Sequence, residues 1–454
     1  MRTNPLGGTA RVRALLLVCL LTAGGCEPGG ARDAGTALDA SPLDVLDAGP
    51  VAHSFTVIET TTFTDRDLTF PVSLVRVDRP DGGRSYVQYV GSNRPGRRGA
   101  VLMTMPYAVV GWTGEEIDMR WAGYPLGDGL GADVDGPSYD GARQAIFQQP
   151  SIDDVSREGL LHLLNGLSVV LVFGRFYAGG DVRDEVADMR AGVAYLANRD
   201  DIDFSRVGVF GGSWGGFEAL QASAIAEPWR PLVTVALYPV IDIPSWIEHL
   251  ETRTGLAREV TLAHLARVRA GTTLGFEGLR IEDLCERLPE RTLLLHDDLD
   301  NLAPIAAARR LESECGVTLL RWPHPEPPAT DSPSHGPVLS EVPDVVVPSA
   351  YTYGNAYLHA ALVPESEPIV GIVQEAALQV HLARVVDAQR RGEDVSWILP
   401  RLRDLLRVSF LELPTNLVVD GRTLVARVVN AAWGTAATAT DIDAVLDGGV
   451  PPLP

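Results

Sequence analysis

Runs dominated by apolar residues stand at 100–105, 167–173, 207–210, 232–237, 292–295 and 317–320, separated by helix-length amphipathic stretches. Short continuous apolar runs predict strands buried on both faces. Their alternation with helices predicts a mostly parallel sheet with helices on both sides, an α/β fold. Residues 54–90 read differently: short β-branched and aromatic runs broken by Asp67, Pro80, Asp81, Gly82 and Gly83 predict antiparallel strands joined by tight turns. A helix is predicted over 181–197, where Val182, Val186, Met189, Val193 and Leu196 form one stripe with charges on the other side. Ser151 and Asp154 form a capping pattern ahead of Leu160, Leu161, Leu163 and Leu164. About fifty mostly helical residues, 241–291, interrupt the alternation and read as a lid. Beyond the main domain, 53–340, a Pro-rich passage leads to two amphipathic stretches, 369–391 and 395–410, so 341–454 reads as a mainly helical unit. No internal repeat or heptad array is present.

The amino terminus adds a compartment to this picture. Arg2, Arg11 and Arg13 precede an apolar run, 14–21, too short to span a bilayer, which ends in Ala23, Gly24, Gly25 and Cys26. This resembles the lipobox of bacterial lipoproteins, which implies a signal peptide at 1–25 and a lipid-modified Cys26 as the mature first residue. An ordinary secretory signal cleaved nearby is the alternative. Residues 26–52 are rich in Ala, Gly, Asp and Pro, too poor in large apolar groups to offset their ordering entropy, and read as an acidic tether. The formal charge is −21, and losing three arginines and no acid with the signal peptide makes it −24. Such a surface repels polyphosphates and argues against nucleic acid as a partner. Hydrophobic residues at 46% and charged residues at 21% are otherwise those of an ordinary globular chain.

With Cys19 cleaved off and Cys26 lipidated, Cys285 and Cys315 remain to form a disulfide or to be buried separately. No cysteine and histidine cluster has zinc-ligand spacing, and no Gly-rich loop is followed by Lys-Ser or Lys-Thr. The sequence therefore indicates neither a metal nor a cofactor.

The strongest chemical signal is Gly211-Gly212-Ser213-Trp214-Gly215-Gly216, directly after the predicted strand 207–210 and before a helical stretch. A serine on a tight strand-to-helix turn is held in a strained conformation, with glycines giving room, and the helix start favours developing negative charge. Ser213 is the candidate nucleophile. It needs a histidine to take its proton and an acid to orient that histidine, in the chain order Ser, acid, His. The strand 292–295 runs into His296-Asp297-Asp298-Leu299-Asp300-Asn301-Leu302-Ala303-Pro304, which offers three acids.

Here the chain resembles the prolyl oligopeptidase-like branch of the α/β-hydrolases, whose acid loop reads roughly His-Gly-x-x-Asp-x-x-Val-Pro. Matching His296 and Pro304 implies Asp300 as the acid, with Asp298 its rival. Asp297 replaces the family's Gly and Ala303 its Val. Pro333-Ser334-His335-Gly336 is similar to the family's His-Gly and implies His335 as the base. His324 is the alternative, restricted by Pro323 and Pro325; His359 and His381 fall in the tail as surface or packing residues. One oxyanion donor is the backbone N–H after the nucleophile, that of Trp214. Met105-Pro106-Tyr107 resembles the Thr-Pro-Tyr of cocaine-esterase-like and X-prolyl dipeptidyl peptidase relatives, which implies the Tyr107 hydroxyl as the second. The resemblance spans about residues 100–336. The β-propeller of prolyl oligopeptidases has no counterpart in 53–99, and the tail does not read as the β-sandwich of the esterase relatives.

These readings lead to an exported serine hydrolase of the α/β-hydrolase fold, acting on a small-molecule ester or amide and anchored to a membrane in the cell envelope by its N-terminal lipid. An esterase is the first choice and a peptidase of the same mechanism the second. A hydrolase-fold binding protein that has lost activity is a third reading, left open by the substituted acid loop. Trp112, Trp121, Tyr124 and Tyr139, in the long stretch 107–150, are candidate pocket residues or simply pack that stretch onto the domain. Replacing Cys26 by Ser should leave the exported protein unlipidated, seen as its transfer from the detergent to the aqueous phase on phase partition.

Overall fold

The computed structural model describes residues 53–65, 68–104, 111–113, 116–118, 157–176, 180–225, 229–252, 283–297, 303–322, 354–373, 408–412 and 417–420, with isolated positions at 269, 272, 279, 280, 300, 422, 423, 426, 430, 436 and 438–440. Strands β1 (Ser54–Asp65), β2 (Leu68–Asp78) and β3 (Arg84–Val90) pair antiparallel, as their interrupted apolar runs predict. Then come β4 (Arg98–Thr104), the small hairpin β5 (Gly111–Thr113) and β6 (Glu116–Asp118), and helix α1 (Arg157–Leu164). The alternation continues with β7 (Ser168–Val172), α2 (Val182–Ala197), β8 (Ile202–Gly212), α3 (Trp214–Ser223), β9 (Val233–Leu237), α4 (Ile243–Thr252), β10 (Arg291–Asp297), α5 (Ile305–Cys315) and β11 (Thr318–Trp322).

One nine-stranded sheet takes them in the order β1-β2-β3-β7-β4-β8-β9-β10-β11. The six strands from β7 to β11 run parallel, so their carboxyl ends, and the loops that follow them, share one edge. β7 and β9 are buried at every position, which is why their sequences, SVVLV and VTVAL, show no polar alternation. Two clusters, each with residues of α3, fill the face of the sheet that carries α2, α3 and α5. Val170, Val172, Met189, Val193, Val207 and Val209 belong to one, and Leu220, Leu294, Ile305, Leu311 and Leu319 to another.

Helix α2 begins where its pattern says it should, with Asp181 as the N-cap accepting from the Arg183 N–H at 2.8 Å. Its charged side is not solvated, contrary to the amphipathic reading: Glu185, Asp188 and Arg190 are all buried. The reason is that α3 packs on that side, and that Arg79, Arg175 and Ser85 converge on Asp188 at 2.6–2.8 Å. A buried carboxylate is tolerated when it is paired and hydrogen-bonded in this way.

Two further expectations are corrected. A helix over residues 354–362, α6, lies on the same sheet: Leu358 and Leu362 are fully buried, and a side chain at Gly208 of β8 would strike both. His359 of α6 is a packing histidine, bonded to His162 of α1 at 2.8 Å, and burial pushes it down to about 3. Glu367 forms ion pairs with Arg94 and with Arg98, the latter at 2.6 Å. Residues past 340 therefore pack on the same sheet. Within the two stretches expected to be helical, 369–391 and 395–410, strands stand instead: β12 (Ile369–Val373) and β13 (Val408–Glu412) form a three-stranded sheet with β14 (Leu417–Asp420). β-branched residues at Ile369, Val370, Ile372 and Val373 favour the extended chain over the helix that their spacing also permits. The described ends of the predicted lid are scaffold: Ile243, Trp246 and Leu250 pack beneath α3, and Leu284 and Leu288 pack with α5.

The sulfurs of Cys285 and Cys315 are joined, with their Cα atoms 4.7 Å apart. The bridge fixes a short 3-10 turn, Cys285–Arg287, to the end of α5 and encloses β10 and Asp300. For a sequence separation of 30 residues, the chain-entropy model gives roughly 3–4 kcal/mol of stabilisation. Reduction should lower the denaturation midpoint accordingly, and Cys315→Ala should show the same midpoint with and without reductant.

Candidate active site

β8 ends at Gly212 and α3 begins at Trp214, so the chain turns from strand to helix at the single residue Ser213. Ser213 has φ 57° and ψ −122°, a conformation disfavoured for any L residue. Strain of this kind costs on the order of 1–3 kcal/mol and persists only where neighbours over-determine it. Those neighbours are identifiable. The Ser213 N–H donates to Leu237 O at 2.9 Å, and Ser213 O accepts from Gly216 and Val240 at 3.0 and 3.2 Å. Thr104, at the end of β4, donates its hydroxyl to Gly215 O at 2.5 Å. Glycine is required on both sides of the turn. A Cβ at Gly211 would collide with the Gly215 carbonyl and the Thr104 hydroxyl, and one at Gly216 would stand 2.7 Å from Pro239 Cβ.

The neighbouring strands extend the arrangement. Gly212 pairs with Leu237 and Leu237 with Leu295, so the elbow, the end of β9 and β10 lie in one row. Tyr238, directly after β9, also has a positive φ, 37°, and its N–H donates to Leu295 O at 2.5 Å. Five residues beyond Leu295 lies Asp300, which is buried and accepts from the Ala303 N–H at 2.8 Å. Ala303 packs in one cluster with Phe176, Trp214 and Val240, which links the acid loop to the base of the elbow.

Trp214 is buried to 1% exposure, stacks on Phe176 with ring centroids 4.4 Å apart, and donates its indole N–H to Glu185 at 2.7 Å. Glu185 and its neighbour Glu218 on α3 are the groups that the sequence reading missed. A signal for Glu185 was present: it falls three residues after Val182 and four before Met189, on the buried stripe of α2. Burial first, then the negative charge of Glu185, holds Glu218 well above the usual carboxylate range.

The structure thus places Ser213, Trp214 and Asp300 at one edge of the sheet, on adjoining loops. Tyr107, His335, Asp298, His324, His381, Cys26, Trp121, Tyr124 and Tyr139 lie outside the described residues. Asp297 is the last residue of β10, paired with Trp322, and Trp112 pairs with Ile117 in the β5–β6 hairpin. Among the described residues no group of three or more His, Cys, Asp or Glu is arranged to hold a metal ion.

Residues 180–260, which contain α2, β8, the elbow and β9, match the prolyl oligopeptidase family, peptidase S9. The parallel order of the strands, the elbow between β8 and α3 and this match agree. The fold is the α/β-hydrolase fold. No curated protein matches the sequence. Among solved structures, this chain is similar to acetyl xylan esterase 1 from a Thermoanaerobacterium species, with 14% identity, 66% of this chain and 87% of that one covered, and a TM-score of 0.41. It is also similar to dipeptidyl peptidase 4 of Porphyromonas gingivalis, with 15% identity, 56% and 31% covered, and a TM-score of 0.36. A thermostable carboxylesterase cloned from a metagenomic library gives 17% identity, 63% and 88% covered, and a TM-score of 0.36.

Gly211→Ala should prevent the elbow from closing. The expected result is a protein that keeps its circular dichroism yet loses at least about 100-fold in reactivity at Ser213, since misplacement by about 1 Å costs that much.

Proposed function

We infer that the protein is an exported serine hydrolase that cleaves a carboxylic ester or amide through an acyl-enzyme, with Ser213 as nucleophile. The observation that carries this reading is the strained φ of Ser213 on a turn whose every neighbour is committed to holding it. A fold spends strain in this way to expose a reactive side chain above the start of a helix. In the proposed reaction His335 removes the hydroxyl proton as Ser213 Oγ bonds to the acyl carbon, and Asp300 orients the imidazole and stabilises its cation. The carbonyl oxygen becomes negative and faces the Trp214 backbone N–H and the Tyr107 hydroxyl. His335 then protonates the departing alcohol or amine, and water repeats the sequence to release the acid.

An esterase is the first reading, because residues 54–90 form the antiparallel edge of the catalytic sheet itself rather than a propeller blade. A peptidase is the second, favoured by the family match over 180–260. Lipid anchoring at Cys26 in the cell envelope is part of the same proposal, supported by the lipobox-like sequence and by a bridged Cys285–Cys315 pair suited to an oxidising compartment.

A fluorophosphonate probe should label the protein and fail to label Ser213→Ala. Asp300→Asn should fold and lose roughly 1,000- to 10,000-fold in kcat, the scale seen when a triad acid is replaced. An unlabelled wild-type protein would overturn the hydrolase reading, and a panel of ester and peptide substrates separates its two forms.

A further inference from the structure

Beneath the elbow, Glu185 and Glu218 sit at 2% and 1% exposure, in contact with the nucleophile's neighbour and unused by the mechanism above. Both oxygens of Glu185 are occupied. Oε1 accepts from the Trp214 indole and Oε2 from the Phe176 backbone N–H. Glu218 lies beside Glu185 and interacts with the Trp214 side chain as well, and its Oε2 has no hydrogen-bond partner among the described residues. Two carboxyl groups can hydrogen-bond to each other only with a proton on one of them.

Among the described residues, the groups that act most on Glu218 include no cation. The other acid acting on Glu218 is Asp188 of α2, whose charge raises it further. Arg79 and Arg175 are bonded to Asp188, and Arg190 of α2 bonds Gln221 of α3 instead. The remaining surroundings, Phe176, Phe217, Trp246 and Val186, are apolar. Like charges in such a dry site cannot both persist, so one carboxyl stays neutral.

We propose that Glu185 and Glu218 hold one proton between them and act as positioning residues for the elbow, fixing the Trp214 indole and the Phe176 amide. Their effect on rate rests on the serine-hydrolase reading; the shared proton does not. While the proton is present, Glu185 is a fixed acceptor and Trp214 is clamped between Glu185 and Phe176. When it is lost, two adjacent charges repel, and the clamp on the residue that supplies the proposed oxyanion N–H loosens. The stability consequence has a definite sign. The folded chain keeps a proton on Glu218 that the unfolded chain releases above about 4.5, so stability falls as pH rises from there until Glu218 ionises.

The wild-type protein at about pH 8 should show the infrared carbonyl stretch of a neutral carboxylic acid, a state unperturbed carboxyls have left by then. That band should be missing in Glu218→Gln. The amide of this variant donates to Glu185 but cannot ionise. Its fluorophosphonate labelling rate at high pH, relative to that at neutral pH, should therefore exceed the wild-type ratio by roughly fivefold or more. Glu185→Gln should slow labelling by roughly tenfold or more and change Trp fluorescence. Absence of the band from the wild-type protein, or the same alkaline decline in wild type and Glu218→Gln, overturns the proposal. If the wild-type protein shows the band but never labels, the hydrolase reading fails and the shared proton stands. The wild-type spectrum decides the proton even if a variant does not fold.

Discussion

The bond from the Ser213 N–H to Leu237 O is the constraint around which the rest is arranged. It requires β9 to end level with β8, and the adjacent pairing of Leu237 with Leu295 sets β10 level with both. Three loops then emerge together, carrying Ser213, the turn at Tyr238 and Asp300. The second strained residue, Tyr238, follows from the same alignment, since the chain leaving β9 must bend sharply to return Val240 to Ser213 O. Strain at one loop is thus balanced by backbone hydrogen bonds from its neighbour, each worth only about 1 kcal/mol net, and the site depends on having several.

Helix α2 shows how the support reaches below the surface. Its apolar stripe builds the core, and its acids organise two separate regions: Asp188 gathers the cations near β2, β3 and the loop after β7, while Glu185 gathers donors under the elbow. A helix with charges at these positions is expected to expose them. Here the fold buries them and assigns each a partner, so changes at α2 bear on the site without touching substrate.

Much of this could be read from residue patterns, because burial on both faces leaves a continuous apolar run and a tight strand-to-helix turn demands small residues around a serine. The runs at 168–172 and 233–237 and the glycines at 211 and 216 are cases where local chemistry and tertiary role coincide. Where they diverge, the pattern misleads. Ile369–Val373 has a spacing that suits either a helix or a strand, and only its pairing with Val408–Glu412 decides. Asp188 and Glu218 look like surface charges until α2 and α3 are packed face to face. Leu358 and Leu362 belong to the catalytic sheet although more than thirty residues separate α6 from β11, a long-range contact that no local periodicity encodes.

The Cys285–Cys315 bridge makes a covalent ring of the segment that holds β10, Asp300 and α5. A single backbone cut inside that ring leaves both pieces attached to the same molecule. β10 would still be held between β9 and β11 on either side of it. A cut in this segment therefore releases no fragment, unlike one in a segment that no bridge encloses.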